Sequence, residues 1–171
     1  MKSMTEAERL MRLAITQARK ADRADEVPVG AIIVRDGVIL GRGYNRRESG
    51  QDVTLHAEMT AIRQACRRLG SWRLDGCDLY VTLEPCIMCA GAIVQARIRT
   101  LYYGADDPKT GACGSITDVF SLRQNHQVAV QSGLLASECS VLLKDFFRRR
   151  RALDKAAGTK SERRQQVTRG G

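Results

Sequence analysis

A chain of 171 residues with 43% hydrophobic content is long enough to bury one sizeable core, and a single domain is the expectation. Its formal net charge of +9 is lopsided: residues 144–171 hold ten Lys and Arg against three Asp and Glu, while the rest is close to neutral. No window carries the apolar run of a signal peptide or a membrane helix, which excludes a membrane-spanning helix and makes a soluble cytoplasmic protein the expectation.

Thr5 followed by Glu8 is a capping-box signature, and Leu10, Leu13, Ala14 and Ala18 follow at helical spacing, predicting a first helix from about Thr5 to Lys20. The β-rich runs 28–34 and 38–44 flank Asp36-Gly37, a dipeptide favoured in tight turns, and predict a hairpin ending at Asn45. A polar loop leads to a helix over 57–69, on which Met59, Ala61, Ile62, Ala65 and Cys66 are apolar. Residues 78–83 read as a strand, Pro85 as a helix start and 86–94 as a small apolar helix. Further strands are expected at 100–104 and 128–130, and a last helix from 136 to 151. From Gly158 onward the sequence is polar, with too few apolar residues to pack. The chain thus divides into a folded domain, 1–151, and a basic, disordered tail, 152–171. Strands that alternate with helices after a hairpin predict an α/β protein, three layers (α/β/α) around a mixed five-stranded sheet. Two helical crossovers would turn the N-termini of the 57–69 and 86–94 helices toward one sheet edge.

Those two N-termini carry the chemistry. His56-Ala57-Glu58 and Pro85-Cys86-Ile87-Met88-Cys89 together offer one imidazole and two thiols, a donor set that suits Zn²⁺. A catalytic zinc differs from a structural one in keeping a position for water, and Glu58, two residues from His56, is placed to carry that water's proton without being a ligand. The other cysteines, Cys66, Cys77, Cys113 and Cys139, lack ligand spacing, and without a secretory signal a disulfide framework is not expected. A Cys-x-x-Cys pair by itself serves a redox dithiol or a structural zinc equally well, with His126, the one other histidine, available as a fourth ligand. A redox dithiol has no use for His56 or Glu58, and His126 lies beyond a long loop, so the full pattern points to a catalytic site.

His-x-Glu followed by Pro-Cys-x-x-Cys is the signature of the zinc-dependent cytidine and nucleobase deaminases, which this chain resembles. The likeness extends through 26–31, Asn45-Arg46, 82–92, Tyr103-Gly104-Ala105, 107–111 and Asp145-Phe146-Phe147-Arg148, and on these segments the chain is similar to bacterial tRNA-specific adenosine deaminases from about Met4 to Arg151. The resemblance implies a cytidine-deaminase-like fold and one Zn²⁺ per subunit on His56, Cys86 and Cys89. It implies that water attacks C6 of adenine while Glu58 moves the protons, with inosine as product. It also implies that Asn45 bonds the target base, that Val29 lines the pocket, that the Ala57 amide lies near the reacting edge, and that the loop bearing Asp107 and Lys109 meets neighbouring nucleotides. The implied substrate is a tRNA anticodon loop with adenosine at the first position, an arginine tRNA being the usual host, bound across a homodimer. Ile87, Met88, Ile93 and Val94, apolar beside the site, support that second subunit.

Without the resemblance, Asn45 reads as a hairpin end and Val29 as core. The signature fits a deaminase of guanine, cytidine or deoxycytidylate as well, and a non-enzymatic RNA-binding protein with a structural zinc is a rival of another class, against which Glu58 argues. The 107–111 loop and the basic C-terminal region favour a polymeric substrate, and the tail's charge suits either phosphates or a solvated end.

Overall fold

A computed structural model describes residues 3–158. Thr5 Oγ1 accepts from the Glu8 amide at 3.1 Å and Glu8 accepts from the Thr5 amide at 2.8 Å, closing the capping box that starts α1, Glu6–Arg23. This helix passes the expected end at Lys20 because Ala21 still faces the core, and the chain then turns at Asp25 with φ +59°. Strands β1, Gly30–Arg35, and β2, Val38–Tyr44, join through Asp36 and Gly37, both at positive φ as the tight turn requires. The polar loop beyond holds one unexpected turn of helix, α2, Arg47–Gly50, before α3, Ala57–Leu69. Strand β3, Asp78–Leu83, leads to α4, Ile87–Gln95. Cys86 is the N-cap of α4 in extended conformation, paired with Gly111 in an isolated bridge, so Pro85 stands just outside the helix it was expected to begin. Strand β4, Thr100–Ala105, a short 3-10 turn, Val119–Ser121, strand β5, Ala129–Gln131, and α5, Ala136–Ala156, complete the described chain.

Helix α5 continues past Arg151, where the folded part was expected to end, because nothing before Gly158 breaks it: Ala152, Leu153 and Ala156 are good helix formers, and Gly158 turns away with φ +68°. The first residues assigned to a disordered tail are therefore helical, and 159–171 lie outside the described residues.

The strands form one five-stranded sheet in the order β2-β1-β3-β4-β5, antiparallel across β2, β1 and β3 and parallel across β3, β4 and β5. Period-two alternation splits its side chains: Ala31, Ile33, Leu79, Val81 and Leu101 join α3 and α4 in one core, while Ile32, Val34 and Tyr80 join α1 and α5 in the other. The result is three layers, α3 and α4 over one face, α1 and α5 over the other. Since β2, β3 and β4 run in one direction, the crossovers through α3 and α4 begin at the same sheet edge, and their N-termini converge there as expected.

Two glycines make that convergence close. A Cβ on Gly41 would collide with the Ala61 carbonyl and one on Gly43 with the Ala57 carbonyl, so α3 lies directly on the backbone of β2. Gly43→Ala must push back the turn that bears His56, and overpacking of this kind costs about 1–3 kcal/mol. Thermal unfolding should show the loss; an unchanged midpoint contradicts the close approach.

The apolar residues expected to favour a second subunit divide between core and surface. Ile93 and Val94 are 0% and 2% exposed, inside this chain's own core, whereas Ile87 projects to solvent at 68%. Their position on α4 points them at the sheet, which the sequence pattern of a small, uniformly apolar helix did not reveal. Among the described residues, no helix is long and apolar enough to cross a membrane.

Candidate active site

His56 is the N-cap of α3 and Cys86 the N-cap of α4, both in extended conformation, with Cys89 in the first turn of α4. The helix ends that meet at the sheet edge therefore bring three donor atoms together: His56 Nδ1 lies 3.7 Å from Cys86 Sγ and 3.5 Å from Cys89 Sγ, and all three fall within 4.8 Å of one another. This His/Cys/Cys group can hold a metal ion. His126 is elsewhere, its Nε2 2.6 Å from the Ile98 carbonyl.

The thiols are polarised against each other. A hydrogen bond from Cys89, assisted by His56, holds the Cys86 thiol down at about 4, while the same bond and burial push Cys89 well up. The bond to Cys86 raises His56. Glu58 sits in the first turn of α3 beside this group, 4% exposed, and burial raises its carboxyl to about 7. A carboxyl poised near neutrality can both accept and return a proton.

Above the group opens a cleft of about 140 Å³, lined by Val29, Asn45, His56, Glu58, Cys86 and Asp107 among others. Asn45 Oδ1 accepts from the Ala57 amide at 3.0 Å. Because a backbone N–H can only donate, this bond fixes which way the Asn45 amide faces and leaves its NH₂ available to the cleft. The Ala57 amide is thus committed to orienting Asn45. Val29, 4% exposed, both lines the cleft and joins the core. Lys109 does not line the cleft; it is exposed on the loop beyond it.

Two buried carboxylates that sequence reasoning passed over support the walls. Glu26, 3% exposed, accepts from the Glu48 amide at 3.2 Å and the Ser49 amide at 2.6 Å, capping α2 and so bracing the segment between Asn45 and His56. Glu84, 2% exposed, accepts from the amides of Asp107, Cys113 and Ser115 and from the Ser115 hydroxyl. Burial alone would raise the Glu84 carboxyl, but these donors, Ser115 foremost, bring it below its usual value. The one available signal was a charged residue between an apolar strand and Pro85; the donors themselves come from distant sequence.

A family model described as MafB19-like deaminase matches residues 5–151. The tRNA-specific adenosine deaminase of Agrobacterium fabrum (strain C58 / ATCC 33970) is 52% identical over 152 residues, covering 88% of this chain and 100% of that protein. The tRNA-specific adenosine deaminase of Bacillus subtilis (strain 168) is 48% identical over 155 residues, covering 90% and 96%. A solved structure from work on A-to-I editing by tRNA:A34 deaminases at the wobble position of transfer RNA superimposes with a TM-score of 0.77 at 53% identity, covering 79% of this chain and 99% of that one. With this coverage at about half identity, joined to a His/Cys/Cys group beside a buried glutamate, the chain belongs to the MafB19-like deaminase family and, within it, to the tRNA-specific adenosine deaminases.

Proposed function

We propose that this protein hydrolyses adenosine to inosine and ammonia at the first anticodon position of a tRNA, with one Zn²⁺ per chain on His56, Cys86 and Cys89. The observation that carries the reading is the meeting of three soft or borderline donors with a buried, proton-ready Glu58 at the floor of a cleft. The donor spacing fits the ion: tetrahedral bonds of about 2.0–2.1 Å to nitrogen and about 2.3 Å to sulfur require N···S edges of about 3.5–3.6 Å. The edges here are 3.7 and 3.5 Å.

When bound, zinc supplies the Lewis acidity that makes water a nucleophile near neutral pH. Glu58 takes the proton this water sheds and gives it to the ring nitrogen beside C6; it then takes the second proton from the hydroxyl added at C6, as the carbonyl forms, and passes it to the amino group, which leaves as ammonia. The Asn45 NH₂ donates to the purine and fixes its orientation, held in turn by the Ala57 amide. Val29 closes the pocket against water, and Asp107 and Lys109 belong to the loop that meets the adjoining nucleotides.

Charge in the cleft supports a base presented by a polymer over a free nucleotide. Glu26, Glu48, Glu58, Glu84 and Asp107 line it, with Arg47 the one Lys or Arg among the described residues that do, so a phosphomonoester such as deoxycytidylate would find no cradle among them. An arginine tRNA as host, action in the cytoplasm, a homodimer, and a basic tail that adds salt-dependent affinity for phosphates complete the proposal. Exposed Ile87 and half-buried Met88 beside Cys86 are the apolar positions that remain to favour a second subunit, and sedimentation at micromolar concentration should return a dimer mass.

Incubation with an anticodon stem-loop and, separately, with free adenosine, cytidine and guanine tests the function. Inosine should form in the RNA alone. Uridine or xanthine from the free compounds, with unaltered RNA, would assign the site to another deaminase.

A further inference from the structure

The buried Glu84 carboxylate plays no part in the proton transfers above, yet it is saturated with donors. All come from one loop, 23 to 31 residues further along the chain: the amides of Asp107 at 2.8 Å, Cys113 at 3.0 Å and Ser115 at 3.1 Å, and the Ser115 hydroxyl. These donors sit on both limbs of the loop, so a single side chain draws the limbs together. The middle of the loop is fastened to the neighbouring ligand segment, Ala112 donating to the Pro85 carbonyl at 2.8 Å and Gly111 bridging to Cys86. Gly111 presses so near that a Cβ there would collide with the Glu84 carboxylate. An irregular loop has no ladder to satisfy its amides, and a buried carboxylate has no water; each satisfies the other.

This hub determines where one wall of the cleft stands. Asp107 and Thr110 line the cleft, and the Asp107 carboxylate is spent within the loop, accepting from the Lys109 amide at 2.9 Å, the Thr110 amide at 3.2 Å and the Thr110 hydroxyl at 2.7 Å. The loop thus has an internal turn at its tip and a carboxylate anchor at its base, and between them its shape is settled before any substrate arrives.

We propose that Glu84 is a positioning residue for RNA, holding the 106–115 loop as a preformed wall on which the nucleotides beside the target base are seated. It acts through the loop amides rather than through contact of its own with the base. The inference rests on the tRNA reading above. Its physical content is that a loop ordered in advance spares binding the entropy of ordering it, so loss of the anchor raises KM and leaves the chemistry at saturation largely intact.

Glu84→Gln is not conservative here, because its NH₂ would face donors; Glu84→Asp keeps the charge but falls a methylene short. Gly111→Ala disturbs the anchor with Glu84 present. The test uses the full zinc-loaded chain, measuring kcat and KM on an anticodon stem-loop, metal content, and hydrogen exchange at the Asp107, Cys113 and Ser115 amides. Glu84→Gln should raise KM about ten-fold or more, keep kcat within about three-fold and one metal per chain, and expose the three amides to exchange. Glu84→Asp should fall between it and the wild type, and Gly111→Ala should raise KM likewise. Unchanged KM overturns the proposal, as does a fall in kcat and metal content at constant KM, which would make Glu84 a support for Cys86. A wild type that forms no inosine in RNA removes the tRNA reading instead, and exchange at the three amides then decides the anchor by itself: protection that persists in Glu84→Gln overturns it.

Discussion

Glu58→Gln and Glu58→Ala should abolish turnover on the stem-loop while leaving the metal in place. Glu58 is buried beside the His/Cys/Cys group yet supplies none of its three donor atoms, so the binding site survives the change and the proton path does not. A positioned acid–base group contributes about 10²–10⁴-fold, and one residue that serves successive transfers should reach the upper end of that range. Metal analysis alongside single-turnover kinetics separates the two roles. Activity within a few-fold of wild type would take Glu58 out of the mechanism, and loss of the metal would make it a ligand. Glu58→Gln is the sharper variant, since it keeps the volume and removes only the ability to exchange a proton.

The ligand variants should behave in the opposite way, losing metal and turnover together. His56→Ala, Cys86→Ala and Cys89→Ala each leave two donors where a stable site needs at least three. Loss of an outer-shell partner alone commonly costs about 10–100-fold in metal affinity, so removal of a direct ligand should exceed that. Cys89→Ala isolates the effect well, because the side chain is fully buried and small, and its removal leaves the helix intact. Equilibrium titration with zinc reads the affinity. The same titration should show proton release on binding and weaker binding as pH falls, since Cys89 holds its proton well above the ordinary thiol range and must surrender it to a metal. A Cys86→Ala or Cys89→Ala protein with full zinc and full activity would dismantle the assignment.

The contrast between these residues and Glu84 marks the boundary between chain and fold. The capping box of Thr5 and Glu8, the turn at Asp36-Gly37, the span of α3 and the ligand pattern on α3 and α4 all depend on residues a few positions apart, and short-range chemistry is what a sequence displays openly. Alternation of strands and helices was also enough to place two helix starts at one sheet edge, because parallel neighbours admit few connections. Other features depend on which surfaces end up covered. The inward turn of Ile93 and Val94, the commitment of the Ala57 amide to Asn45, Glu26 capping a helix turn well downstream, and the Glu84 hub are pairings across the chain. Each satisfies a polar group, or buries an apolar one, only after packing has excluded water from that place, and until then the partner has no reason to be preferred over solvent. Residue types and their local spacing therefore named the three donors that meet and the glutamate beside them; burial and long-range hydrogen bonding decided how those groups are held.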